Sequence, residues 1–457
     1  MRSLIEPFKI KMVEPIRMTT EDERRARIRE AGYNVFLLHA RDVMIDLLTD
    51  SGTSAMSSEQ WAAMMRGDEA YAGSESFYRF EAAVQRRTGM PYVIPTHQGR
   101  AAEHLLFELM VEPGQVVISN THFDTTRANV EARGAEAIDL PCAAAADLHE
   151  PAPFKGDMDL DRLDATLGRL GSKVALVIMT VTNNAAGGQP VSMANLRGAR
   201  AVCDRHKVPM FLDACRFAEN AWFIKTREPG HADRPLADVA REMFDHVDGC
   251  TMSAKKDGLV NMGGFLALRD KALSESARGP LILTEGFPTY GGLSGRDLDA
   301  IAQGLEEVVD EDYMRYRVRT AAFLSEHLES VGVPTVLPPG GHAVYVDARR
   351  MLPHIPLREF PGLALVNALY VHAGVRAVEV GGVMFGRTDK TTGEYVEPPV
   401  DLVRLALPRR VYTQSHIEYV AEALEEVNEA RGALRGYRFT WEAPRLRHFT
   451  SRFEPLS

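Results

Sequence analysis

The run Val208-Pro209-Met210-Phe211-Leu212, closed by Asp213-Ala214-Cys215-Arg216, and the later loop Ser253-Ala254-Lys255-Lys256-Asp257 decide the fold of this 457-residue chain. The first is a buried-strand pattern ending in an acidic residue. The second places a lysine after Ser-x-x, in a polar loop behind another apolar run at 249–252. Open α/β sheets carry their ligand-binding groups just beyond the carboxyl ends of strands, where Asp213 and the lysine pair fall. Working outward, further candidate strands are 92–95, 116–119, 135–140, 174–181 and 263–267. Helical patterns lie between them. One covers 101–110 and is stopped by Pro113-Gly114; another is capped by Ser192 and carries Met193, Leu196 and Val202 on one face. This alternation predicts an α/β domain with a mostly parallel sheet over residues 56–310.

On either side of that domain the pattern changes. Residues 1–55 read as an irregular arm that joins a smaller domain. The glycine-rich turn at 288–295 approaches the other boundary. A long amphipathic helix follows, with Met314, Val318, Ala321, Leu324, Leu328 and Val331 at spacings of three and four, ended by Gly332 and Pro334. Strands at 342–346 and 403–407 make residues 311–457 a smaller α+β domain.

Composition narrows the function. A net charge of -10, with no basic stripe, argues against nucleic-acid or membrane-surface partners. Glu6, Lys9, Lys11, Glu14 and Pro15 break the first eighteen residues, so no secretion-signal core is expected there. No apolar run approaches a membrane span. Four cysteines (Cys142, Cys203, Cys215, Cys250) without C-x-x-C spacing suit a reducing, cytoplasmic setting and suggest neither disulfides nor zinc. No H-E-x-x-H occurs, which disfavours metal-dependent hydrolysis.

A carboxylate at a strand end and a lysine in a neighbouring loop are what pyridoxal phosphate (PLP) requires. The lysine forms the Schiff base, and the carboxylate keeps the pyridine nitrogen protonated. Either feature alone has a plainer reading, since Lys pairs are usually solvated and an Asp after a strand often caps a helix. Lys256 is the preferred anchor, with Lys255 as its competitor. Thr96-His97-Gln98-Gly99-Arg100 follows a strand and opens a helix. Its backbone N–H groups suit a phosphate, Gly99 permits close approach, and Arg100 adds charge. Ser253 can add a hydroxyl to the same phosphate. Arg216 and Asn184 are candidates for the cofactor's phenolic oxygen, although Asn184 also suits an Asx turn.

These segments resemble the β-eliminating lyases, the PLP family of tryptophan indole-lyases and tyrosine phenol-lyases. The resemblance runs nearly end to end. It includes Glu6-Pro7-Phe8, the 46–53 segment, Gly67-Asp68-Glu69-Ala70-Tyr71, Pro95 to Arg100, Gly187-Gly188-Gln189-Pro190-Val191-Ser192 and Ser253 to Asp257. It continues through Glu285-Gly286-Phe287-Pro288-Thr289-Tyr290-Gly291-Gly292 and Pro408-Arg409-Arg410-Val411-Tyr412-Thr413. It implies fold type I, the aspartate-aminotransferase-like fold, and a homotetramer built as a dimer of dimers with shared active sites. It also implies activation by a monovalent cation, usually K+. By position, Lys256 holds PLP, Asp213 pairs its pyridine nitrogen, and Gln98, Gly99, Arg100 and Ser253 hold its phosphate. Phe123, Arg216 and Asn184 complete the cofactor site. Thr49, Ser51, Asn184 and Arg404 match substrate-binding positions, Arg404 being the guanidinium that grips the substrate carboxylate. Tyr71 matches a tyrosine that reaches the neighbouring subunit's site and helps protonate the leaving group. Glu69, with Gly52 and Asn261, matches the cation ligands. Ala101 replaces a frequent Gly, and Cys215 occupies a variable position close to the cofactor, where oxidation sensitivity is expected.

Four positions separate the branches. Asp124 stands where the phenol branch has Thr, Val380 where it has Arg, and His448 where it has Phe; Phe287 also matches the indole branch. A carboxylate suits the charge that develops when indole is protonated at C3, so Asp124 and His448 are expected at the leaving ring. Singly, Asp124 also reads as a helix cap and His448 as a surface residue. The expected reaction is β-elimination of L-tryptophan to indole, pyruvate and ammonium. Rivals are a tyrosine phenol-lyase, a lyase for a modified aromatic amino acid, an aminotransferase of the same fold and a non-catalytic PLP-binding protein. The last would be expected to lose Lys256, Tyr71 or Arg404, and all three are present.

Overall fold

A computed structural model describes residues 4–388, 394–444 and 446–457 of the chain, so the first three residues of the N-terminal stretch lie outside it. The chain forms two compact units. One comprises Ser51–Val318 with Arg409–Val411; the other comprises Met1–Asp50, Arg319–Pro408 and Tyr412–Ser457.

The first unit is built on a seven-stranded sheet. Its strands are β1 (Tyr92–Thr96), β2 (Val116–Ser119), β3 (Glu136–Asp139), β4 (Val174–Thr180), β5 (Met210–Asp213), β6 (Gly249–Ser253) and β7 (Gly264–Leu268), in the order β1-β7-β6-β5-β4-β2-β3. Every pairing is parallel except the two made by β7. The central strands are buried on both faces, which is why they read as continuous apolar runs rather than alternating ones. The helices that matter to the site are α1 (Gly99–Met110), α2 (Asp124–Ala132), α3 (Met193–His206) and α4 (Phe217–Arg227). Ser192 caps α3 as expected, its hydroxyl accepting from the Asn195 N–H. Two apolar clusters fill this unit, one centred on Leu196, Met243 and Phe265 and the other on Leu106, Ile178 and Leu266.

The long helix α5 (Glu311–Ser330) spans the division between the units and buries Met314, Ala321, Leu324 and Leu328. The second unit holds an antiparallel sheet of β8 (Ala343–Asp347), β9 (Val378–Val380) and β10 (Leu402–Ala406), with β10 in the middle. Among its one-turn helices are α6 (Gly382–Phe385) and α7 (Arg447–Thr450). The expected irregular arm departs from the structure at Ile45–Asp46, a short strand paired with Val375–Arg376, and over Glu21–Glu30, which is a helix. Its sequence shows no apolar stripe, only Ile28 and Arg24 being buried. A capping box between Thr20 and Glu23 starts it. Among the described residues no helix is long and apolar enough to cross a membrane.

Candidate active site

Strand register builds the floor of the site. Thr180, Asp213 and Thr251 stand side by side on β4, β5 and β6, so their side chains share one face of the sheet. All three line a cavity of about 650 Å³, measured with its open mouth. Gln98, Gly99, Arg100, Phe123, Asn184, Arg216, Ser253, Lys255, Lys256 and Ser51 line it too. The structure therefore gathers every candidate cofactor residue around one space at the carboxyl ends of the parallel strands.

The candidate phosphate side is a helix N-terminus. No side chain caps α1, and Gln98 ahead of it is fully extended. A β-carbon on Gly99 would fall 2.6 Å from the Ser253 Cβ and 2.9 Å from the Ser253 nitrogen. Only glycine permits that approach. His97 is pinned by Glu285, which accepts from the His97 backbone N–H at 2.9 Å and from its ring. The quoted Glu285-Gly286-Phe287 segment thus holds the turn that precedes α1.

Three polar atoms at the cavity fit a bound polar group. The hydroxyl oxygens of Thr180, Thr182 and Thr251 are buried without a hydrogen-bond partner. Buried hydroxyls are costly when unsatisfied, so the wall suits an occupant that supplies partners. Asp213 is buried, its Oδ1 accepting from the Cys215 N–H at 3.3 Å. Cys215 in turn accepts from the Ser253 N–H through sulfur, at 3.3 Å. Burial, followed by the charge of Asp213, pushes the Cys215 thiol strongly up, so the reactive thiolate is disfavoured. In the Asn183-Asn184 loop the Asn183 Oδ1 accepts from the Ala186 N–H at 3.2 Å.

Two carboxyl residues at or behind the cavity gave no usable sequence signal. Glu103, one turn into α1 from Gly99, lines the cavity and accepts from the Thr126 and Thr125 hydroxyls at 2.6 and 3.1 Å. Burial, then the charge of Asp213, raises its carboxyl to about 7. Asp257, next to Lys256, is the other. Its Oδ1 accepts from Arg409 and its Oδ2 from the Ala218 N–H, both at 2.8 Å. Arg409 also donates to Glu219, which accepts from Arg317 as well. These buried charges anchor the lysine turn against α4. Both Asp257 and Arg409 fall inside the quoted motifs, but those motifs did not state what they hold.

The remaining candidates lie elsewhere. Asp124 is the first residue of α2, between the cavity-lining Phe123 and Thr125, and is not itself among the lining residues. Its carboxylate sits in the first turn, where the helix dipole favours it. Tyr71 is 69% exposed and packs on Phe287 and Tyr290, with ring centroids 5.6 and 5.3 Å away. Glu69 is paired with Arg296 at 2.9 Å. The Gly52 and Ser54 carbonyls both accept from the Asn261 side chain. A monovalent cation at these positions would share the Gly52 carbonyl with the Asn261 amide and compete with Arg296 for Glu69. Among the described residues no group of three or more His, Cys, Asp or Glu gathers to hold a metal ion.

In the second unit, Arg404 stands on β10 opposite Val378 and Tyr345, and donates to the Leu48 carbonyl at 3.1 Å. Asp46 fixes the segment leading to Thr49 by accepting from Arg376 and from the Leu48 N–H. His448, on α7, is buried rather than a surface residue. Its ring lies against Phe449 and Phe36. Burial, then the charges of Arg404 and Arg447, lower it to about 4, so the imidazole is neutral at physiological pH. It can act as a hydrogen-bonding group but not as a cation. Val380 is buried on β9.

Comparison with known proteins agrees with this geometry. The β-eliminating lyase family model matches residues 46–423. The chain is 59% identical to a tryptophanase from Hyphomonas neptunium over the whole of both chains. It is 59% identical to a tryptophanase from Rhodobacter capsulatus, and 52% identical to a tyrosine phenol-lyase from Symbiobacterium thermophilum, again over the whole of both. Among solved structures it resembles a serine palmitoyltransferase from S. paucimobilis holding PLP (TM-score 0.59, 15% identity, covering 85% of this chain and 88% of that one). A second match is the Sphingomonas wittichii serine palmitoyltransferase (TM-score 0.56, 15% identity, covering 90% and 97%). The fold is therefore that of the PLP-dependent fold type I enzymes, and the chain belongs to the β-eliminating lyase family, in the group formed by tryptophanases and tyrosine phenol-lyases.

Proposed function

We propose that this lyase converts L-tryptophan and water to indole, pyruvate and ammonium. The observation that carries this reading is the pair of aromatic-selecting positions: Asp124 heads α2 directly after the cavity-lining Phe123, and an uncharged, buried Val380 stands where a phenol-binding arginine is expected.

PLP supplies, when bound, an electron-accepting ring joined to the substrate nitrogen. Lys256 would hold it, Asp213 would keep its ring nitrogen protonated, and α1 with Gln98, Gly99, Arg100 and Ser253 would hold its phosphate. Phe123 would lie against its ring, with Arg216 and Asn184 at its phenolic oxygen. Lys256 is favoured over Lys255 because its charge bears on Glu103 and Cys215, both beside Asp213, whereas the Lys255 side chain lies against Gly52. Lys256 Nζ removes the proton from the substrate Cα. Arg404, with Thr49, Ser51 and Asn184, orients the substrate, the guanidinium matching its carboxylate. Tyr71 Oη helps deliver a proton to indole C3. Asp124 offsets the positive charge that appears on the protonated ring. The neutral His448 contributes a hydrogen bond there.

The exposed Tyr71, packed on the half-buried Phe287 and Tyr290, supports a homotetramer with shared sites, in which Tyr71 serves a neighbouring subunit. K+ would be held by Glu69 and the backbone oxygens of Gly52 and Asn261. The four free cysteines support a cytoplasmic location. A second reading, cleavage of tyrosine or of a modified aromatic amino acid, is favoured by the 52% identity to a tyrosine phenol-lyase. A product assay with PLP and potassium separates the two. Indole with equimolar pyruvate from tryptophan alone is expected, and phenol from tyrosine as the main product would overturn the ring assignment.

A further inference from the structure

The one-turn helix α7 that carries His448 cannot hold its own shape, since a single turn leaves nucleation uncompensated. No side chain caps it, and the residue before it, Leu446, is left-handed. What fixes it is the next side chain. The Arg447 guanidinium donates to the carbonyls of Gly382, at 2.7 Å, Val383, at 2.5 Å, and Gly386. These are carbonyls of α6 and of the residue that follows it. Arg447 also pairs with Glu442 at 2.6 Å and lies over the Phe439 ring at 5.2 Å. From the other side, Asn34 donates to the His448 and Ser451 carbonyls at 3.1 and 2.8 Å.

Helix α6 is held at its opposite end by two carboxyl groups. Asp401 accepts from the Gly382 N–H at 3.1 Å, and Glu379 accepts from the Val383 N–H at 2.9 Å. Carboxyl oxygens accepting at the N-terminal N–H groups and a guanidinium donating to the carbonyls satisfy backbone groups that a one-turn helix leaves open. Val380, the other ring-selecting position of this unit, lies two residues before α6 on β9. One guanidinium therefore joins the segment that follows Val380 to the helix that carries His448.

We propose that Arg447 is a positioning residue for ring selection, setting His448 in register with the Val380–α6 segment. This rests on the reading that His448 meets the leaving ring. Arg447 touches no reacting atom; it acts through His448. Its fork reaches several carbonyls at once, which a lysine ammonium cannot reproduce.

The test compares tryptophan with S-methylcysteine, whose thiolate departs without ring protonation, in wild type, Arg447→Met, Arg447→Lys, His448→Phe and the double variant Arg447→Met/His448→Phe. Arg447→Met is expected to lower kcat for tryptophan by about 10- to 100-fold, as misplacement on the ångström scale does. S-methylcysteine should change by less than about threefold. The double variant should match His448→Phe alone. Arg447→Lys should recover less than half of the loss on a logarithmic scale, and its melting temperature shows whether a failed Arg447→Met is a folding failure. Equal losses on both substrates would overturn the proposal in favour of a merely structural role. So would losses that multiply in the double variant, or a wild-type ratio in Arg447→Lys. An unchanged tryptophan-to-S-methylcysteine ratio in His448→Phe itself would sink the reading of His448. A normal His448→Phe loss beside an unaffected Arg447→Met would sink only the role of Arg447.

Discussion

The two units solve the same problem, holding polar groups in fixed places, by different means. In the sheet unit, Asp213, Ser253 and the α1 turn are set by strand ends and by a helix N-terminus, and buried carboxylates are matched by guanidinium groups. In the other unit, one-turn helices are set by single side chains reaching backbone, and a buried pair, Glu379 and Asp401, meets backbone N–H groups, the charge of Arg447 offsetting only part of the rise that burial causes at Glu379. Rigid elements give positions that resist substitution around them. Side-chain tethers concentrate the positional information in one or two residues, and so are easier to lose.

The largest expected effect lies in the sheet unit. If the proposed function holds, Lys256→Ala should reduce indole release by about 10⁴-fold or more, because it would remove both the proposed covalent anchor and the proposed general base. The quantity to measure is indole formed under saturating PLP, and near-normal release would transfer the role to Lys255. Next comes the anchor of the lysine turn. Arg409→Met leaves the Asp257 and Glu219 charges buried without this partner and should cost about 3–5 kcal/mol in urea unfolding. A cost below about 1 kcal/mol would mean that water or a rearranged Arg317 replaces it. Asp124→Thr is a third probe. It should lower kcat/KM for tryptophan by about 100-fold while leaving S-methylcysteine nearly unchanged, the size expected for one charge-stabilising group. Equal losses would mean that Asp124 serves chiefly as the first residue of α2.

The smallest effect separates the two kinds of buried carboxyl. Burial, then the charge of Asp401, raises Glu379 well above its ordinary value, and burial raises Asp401 to about 6. Arg447 lowers Glu379 less than these raise it, and Asp347 adds to the rise at Asp401. A raised carboxyl binds its proton more tightly in the folded chain. Its contribution is complete below the unfolded values of 4.5 and 3.8 and fades as pH climbs through the folded ones. Glu379→Gln keeps a neutral hydrogen-bonding group there. It should cost little at pH 5 and narrow the gap in melting temperature between pH 5 and pH 8. An unchanged gap would place the proton elsewhere, Glu103 with its value of about 7 being the next candidate.

The sequence exposed these regions unequally, for a physical reason. Strands β2 and β4 to β7 announce themselves because burial on both faces demands unbroken apolar runs. The residues at their carboxyl ends, Asp213 and Ser253, could then be placed by the general geometry of open sheets. Glu103 stayed silent because a Glu one turn into a helix looks the same whether it faces water or a cavity. Helix Glu21–Glu30 was hidden because it buries almost nothing apolar and announces only its cap. Arg447 was hidden most deeply. Its partners are carbonyls about 60 residues away, and a backbone oxygen carries no side-chain signature.

The close seat of Gly99 against Ser253 has a consequence for anyone wishing to redesign this protein. A library with codon 99 fully randomised, screened for yellow, soluble clones, should return one amino acid. Codon 101, where an alanine already stands in place of a frequent glycine, should return several. Directed evolution toward other amino-acid substrates would therefore do better to leave the floor of the cradle untouched and spend its diversity on the tethered helices.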